Sequence, residues 1–130
     1  MEKNYAVKQF GSWNNVEGKV FLGEALGLTG AQLSVQKLAP QEDAPFLHAH
    51  KRHEEVYLIL SGKGEYQVDG EVFPVGEGTL IRVAPAGVRA LRNTGDEPLV
   101  MCCIQYQAGS FGEADDFMVD GTIINEPVKW

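Results

Sequence analysis

Short apolar runs with a period of two recur along this chain, separated by turn signals. The runs are Val56–Leu60, Glu65–Val68, Val72–Val75, Thr79–Val83 and Leu99–Tyr106, each rich in Val, Ile, Leu, Tyr or Phe. Between and beside them stand Gly62-Lys63-Gly64, Asp69-Gly70, Gly76-Glu77-Gly78, Pro85-Ala86-Gly87 and Asn93-Thr94-Gly95. Strands of this length at this spacing predict an all-β sandwich or barrel. Asp69-Gly70 predicts a two-residue hairpin, because both residue types enter the left-handed conformation that such a turn demands. Helix is scarce. Leu22–Leu28 predicts one short helical turn before Thr29-Gly30, Gly109–Asp116 a polar loop, and Phe117–Trp130 one more strand around Asp120-Gly121. No repeat, low-complexity tract or interdomain linker interrupts the pattern, so a single domain over residues 1–130 is expected.

Composition narrows the class. The chain has 130 residues, 44% apolar and 22% charged, which is ordinary globular usage. A chain of this length buries enough surface to hold a core without a disulfide or structural metal. Eleven Lys and Arg against 18 Asp and Glu leave a net charge of −7. That balance disfavours nucleic acid, whose affinity comes from cations on phosphates, and anionic membrane surfaces. No apolar run is long enough to span a bilayer, and the N-terminal residues have no signal-peptide core. Cys102 and Cys103 are adjacent. On a strand they point to opposite faces, so a bridge between them would be strained. Two reduced thiols in a cytoplasmic protein, packed as small hydrophobes, are expected.

The three histidines fall together in Phe46-Leu47-His48-Ala49-His50-Lys51-Arg52-His53-Glu54-Glu55. His48 and His50 are two apart, so on a strand both project from one face. A turn at Lys51–His53 would start the next strand, Glu54–Leu60, in which Glu55, Tyr57 and Ile59 share one face. If Glu55 faces the histidines, two neutral imidazoles and a carboxylate form a facial triad with open positions, a set suited to Zn, Fe, Mn or Ni. His53 occupies the turn and is expected to face solvent or to support the triad from behind it. Tyr57 shares the face of Glu55, and Gln105, Cys103 and Met101 share another. Each could line a pocket or pack in the core.

Residues 48–62, H-A-H-K-R-H-E-E-V-Y-L-I-L-S-G, resemble the first motif of the cupin superfamily, with both the Glu55 and the Gly62 spacings in agreement. The motif assigns the carboxylate role to Glu55 rather than Glu54. The glycine that usually precedes the first motif histidine is replaced by Glu42. Gly78–Asn93 resembles the second motif, with Pro85-x-Gly87 one residue late and Arg89 where the fourth ligand histidine stands. The resemblance covers about residues 31–107, leaving 1–30 and 108–130 as extensions. It implies an antiparallel jelly-roll barrel of six to eight strands, and a homodimer with terminal segments such as Val119–Ile124 as strand donors or covers. It implies a divalent transition metal on His48, His50 and Glu55.

Arginine is not a normal ligand. Arg89 could leave a three-ligand metal site, grip an anionic substrate group bidentately, or pair with Glu55 and replace the metal. Arg82 and Arg92 add positive charge that the sequence does not place. Two functions follow. One is a metal-dependent isomerase, lyase or dioxygenase on a small anionic metabolite, with Glu55 and Arg89 as catalytic residues and Arg89, Tyr57 and Gln105 on the substrate. The other is a non-catalytic small-ligand binder without a functional metal. A sensor domain of a transcription factor is disfavoured, since no DNA-binding helix pair accompanies the barrel.

Overall fold

In the computed structural model, residues 3–112 and 117–130 are described. Their strands are β1 (Lys19–Phe21), β2 (Gln32–Leu38), β3 (His53–Ser61), β4 (Lys63–Val68), β5 (Glu71–Gly76), β6 (Leu80–Val83), β7 (Arg89–Asn93) and β8 (Leu99–Gln107). The helices are short: α1 (Gly23–Leu26) and α2 (Phe117–Asp120). The strands make two antiparallel sheets, β1-β2-β8-β3-β6 and β5-β4-β7, the all-β arrangement the periodicity predicts and the jelly roll the resemblance implies. The sheet begins earlier than the expected core, because β1 pairs with β2 through Val20 and Val35.

Two turns show local sequence setting register. Asp69 (φ 52°) and Gly70 (φ 84°) both lie in the left-handed region, and Val68 pairs with Glu71 across the hairpin they close. Gly62 (φ 84°) packs so closely on Pro98 and Leu99 that a Cβ there would lie 2.4 Å from the Pro98 carbonyl oxygen. Only glycine lets the chain pass from β3 into β4 at that point.

The main core lies between the sheets, with Tyr57, Ile59, Tyr66, Val83, Leu91, Leu99 and Met101 among its buried residues. A second cluster lies on the outer face of the five-stranded sheet. Val35 of β2 and Val100 of β8 are covered there by Val16 and Leu22, with Phe10 and Val20 against them. Strands β2 and β8 are therefore covered on both faces.

The C-terminal segment departs from expectation. Phe117–Asp120 is helical, and residues 121–130 form no strand. Val119–Ile124 thus joins no sheet of its own chain, and Ile123, Val128 and Trp130 are exposed. A strand needs an edge that accepts its hydrogen bonds, and this segment pairs with none among the described residues. Gly109–Gly112 is irregular as predicted, while residues 113–116 lie outside the described ones. No described helix is long and apolar enough to cross a membrane.

Asn93, the last residue of the second motif, ties the end of β7 to two other segments. Its buried amide donates to the carbonyls of Leu38, Ala39 and Glu97, and its oxygen accepts from the Gly95 amide. Asn93→Ala is expected to cost about 2 kcal/mol or more, since several partners lose their bonds together. A urea midpoint shifted down at unchanged slope would report it.

Candidate metal centre

Residues 42–50 decide where the histidines point. This segment is not the regular strand expected for His48 and His50. It runs beside β7 with two isolated bridges, Asp43 to Arg92 and His48 to Arg89. The His48 amide donates to the Arg89 carbonyl at 3.2 Å, the Arg89 amide to the His48 carbonyl at 3.0 Å, and the His50 amide to the Pro85 carbonyl at 2.8 Å. The bend at Lys51–Arg52 leads into β3, where the period of two buries Glu55, Tyr57 and Ile59 and leaves Glu54, Val56 and Leu58 half-buried.

Glu55 is the hub. Its Oε1 lies 3.5 Å from His48 Nε2 and 3.3 Å from His50 Nε2. The same oxygen accepts from Arg89 Nη2 at 2.7 Å and from the Tyr57 hydroxyl, while Oε2 accepts from Cys103 Sγ at 3.1 Å. Burial alone would raise the Glu55 pKa. The hydrogen bonds from Tyr57, Cys103 and Arg89, together with the Arg89 charge, outweigh it and bring the pKa down to about 2. A carboxylate held there is a weak base at neutral pH. Burial lowers the His48 pKa, with Arg89 and His50 acting in the same direction against Glu55, which favours the neutral imidazole. Burial raises Tyr57 and Cys103, keeping both protonated as donors.

Arg89 is fully buried. Nη1 donates to the Gly87 carbonyl at 2.6 Å and the Pro85 carbonyl at 3.2 Å, Nη2 to Glu55, and Nε to the Tyr57 hydroxyl at 3.4 Å. Of the arrangements left open by the sequence, the structure has Arg89 paired with Glu55. Most of its donors are spent on the protein, which leaves little of the guanidinium to grip a substrate.

The donor set nevertheless fits an ion. Ligand atoms about 2.0–2.2 Å from one metal stand about 3.0–3.5 Å from one another. Both histidine–Glu55 separations fall on that edge length, and the three ligand atoms lie within 4.8 Å of one another. His53 is not part of this group; its Nδ1 lies 2.7 Å from Gln105 Nε2. Gln105 thus supports His53 and does not line the cavity beside Glu55. Arg82 pairs with Glu54 and Arg92 with Glu65 on the outside.

A cavity of about 180 Å³ opens beside Glu55 and is lined also by His48, Tyr57, Arg89, Met101 and Cys103. Its wall also carries Lys19, Ser34, Gln36 and Tyr66, none of them anticipated, and the apolar segment Ala44, Pro45 and Phe46 with Ala90 and Leu91. The alternation Gln32-Leu33-Ser34-Val35-Gln36 was the available signal. It marks two faces of β2, but polar positions are ordinarily read as outward, and here Ser34 and Gln36 face in.

Residues 34–105 match the family profile described as a cupin domain. The chain belongs to the cupin family. A cupin protein of Bacteroides fragilis is 37% identical in a solved structure, aligned over 95% of this chain and 99% of that one with a TM-score of 0.85. An uncharacterized protein of Methanocaldococcus jannaschii is 33% identical over 75 residues, 58% of this chain, and the chain spans 60% of that protein's length. A structure from Thermotoga maritima, described as a predicted oxalate decarboxylase, is 25% identical over 65% of this chain and 73% of that one, with a TM-score of 0.59. These likenesses establish the cupin fold, and His48, His50 and Glu55 are a group that could hold a metal ion.

The depressed Glu55 pKa sets a pH dependence. Because the folded value lies below the ordinary 4.5, the stability it contributes is complete above about pH 4.5 and is lost as the pH falls toward 2. Glu55→Gln leaves Arg89 buried without its counter-charge and is expected to cost about 3–5 kcal/mol at pH 7. The gap between wild type and variant should shrink between pH 4.5 and 2.5 in denaturant titrations. A gap constant over that range would contradict the assignment.

Proposed function

We propose that this cupin holds a divalent transition metal, Zn, Fe, Mn or Ni, on His48, His50 and Glu55, and acts on a small anionic metabolite in the adjoining cavity. The observation that carries the reading is the pair of separations from one Glu55 oxygen to two imidazole nitrogens, 3.5 and 3.3 Å. When bound, such an ion supplies a Lewis acid that polarises a carbonyl oxygen, the chemistry common to isomerases and lyases of small oxo-acids. The chain's own residues prepare the site. Arg89, Tyr57 and Cys103 fix Glu55 as a carboxylate and orient it, and burial favours the neutral His48 imidazole. The Thermotoga maritima relative's description names a small anionic substrate class, which supports the same direction.

A second reading, a ligand-binding cupin without a functional metal, is favoured by the Arg89 contact to the very oxygen a metal would need. Metal analysis of protein purified without chelator separates the two. Up to one equivalent of metal is expected in wild type and little in His48→Ala. Metal added to stripped wild type at a hundredfold excess over its Kd should stabilise it by about 2.7 kcal/mol, and should leave the variant unchanged. No metal and no thermal response in wild type would hand the site to the second reading.

The proposal extends to a homodimer in a reducing, cytoplasmic setting without nucleic-acid or membrane partners. Cys102 and Cys103 are unpaired thiols, and the exposed apolar side chains of Ile123, Val128 and Trp130 offer surface for a second copy. Gel filtration should give about twice 14.2 kDa; a monomer at micromolar concentration would refute the dimer.

A further inference from the structure

At the edge of the cavity beside Glu55 stands one exposed cation that no described carboxylate neutralises, and it comes from outside the residues that match the family profile. Lys19 begins β1 and pairs with Gln36 of β2, which in turn pairs with Met101 of β8. These three residues line the same cavity. The Lys19 ammonium sits 5.0 Å over the Phe21 ring and forms no ion pair among the described residues. The Glu55 and Arg89 charges are in contact at 2.7 Å and offset each other. In a chain of net charge −7, the cavity is therefore the place where an anion meets positive charge.

A second observation points to a ligand. The Tyr66 hydroxyl is buried on a side chain only 1% exposed that lines this cavity, and it completes no hydrogen bond of good geometry, its polar neighbour being the Tyr57 hydroxyl. An orphaned buried donor costs about 1–3 kcal/mol, and an acceptor entering the cavity would recover it. Ser34, buried on the wall formed by β2, adds a hydroxyl. The space of about 180 Å³ equals about six waters, a size that suits a small molecule.

We propose that Lys19, Tyr66 and Ser34 form a subsite for the carboxylate of a short-chain mono- or dicarboxylic acid. Lys19 supplies the charge, and the two hydroxyls donate to the acid's oxygens. One ammonium and two neutral donors match a carboxylate better than a dianionic phosphate, which collects more cations and backbone amides. The subsite rests on reading the cavity as a small-molecule site, but not on the metal.

Calorimetric titration with acetate, malonate, succinate, malonamide and inorganic phosphate, on stripped and zinc-loaded protein, tests this. Malonate or a neighbouring acid should bind, and malonamide should not. Lys19→Gln should weaken acid binding about tenfold or more, Lys19→Arg should restore most of it, and Tyr66→Phe should weaken it about fivefold. Zinc content should be unchanged in the Lys19 variants, which alter an exposed side chain. Acid affinity within twofold of wild type in Lys19→Gln, tighter binding of phosphate than of every acid, or binding of no acid at all would overturn the subsite. Lys19-dependent acid binding to protein that takes up no zinc would keep the subsite and refute the metal reading; zinc uptake with Lys19-independent acid binding would do the reverse.

Discussion

The contact on which the site depends is the buried pair between Glu55 and Arg89. Two charges taken out of water cost several kcal/mol each, and their attraction alone does not reliably repay that. Here the remaining valences are filled. The guanidinium donates to the carbonyls of the Pro85–Gly87 turn, and the carboxylate accepts from Tyr57 and Cys103. The pair thereby joins β3, β7, β8 and the turn before β7 in one network. It also fixes the segment carrying His48, because the backbone of Arg89 exchanges two hydrogen bonds with that of His48. Removing either charge would disturb the other's solvation and the ligand geometry together.

The pair also limits what the site can do. A metal on Glu55 Oε1 shares that oxygen with a guanidinium, and the like charge lowers the ion's affinity there. A carboxylate held at about 2 is a weak base near neutral pH. Arg89 acts on the site through Glu55, which it holds in place.

The parts legible in the sequence were those fixed by short-range geometry. Period two on β3 put Glu55 and Tyr57 inside, Asp69-Gly70 fixed a hairpin, and the His48, His50 and Glu55 spacing brought three donors together. The rest depended on partners far along the chain. Which role Arg89 takes, here pairing with Glu55, is a choice that residue type leaves open. Ser34 and Gln36 face the cavity because the other face of β2 is already covered by Val16 and Leu22. Alternation separates two faces but does not say which one meets water. The tail failed as a strand for a related reason: its apolar residues mark β propensity, while pairing requires a free edge in reach.

The covering of β2 and β8 explains why residues before the family match contribute to the cavity. Val16, Leu22 and Val20 pack on the outer face of the five-stranded sheet, and that packing holds β1 against β2. With a period of two, fixing Val20 outward turns Lys19 and Phe21 toward the side of Ser34 and Gln36. An apolar patch on one face of the sheet thus delivers a cation to the other. The cupin motifs supply the metal-type donors, and the segment that covers the sheet supplies the charge a ligand would meet. Changes in that covering segment can therefore alter ligand preference while leaving His48, His50 and Glu55 untouched.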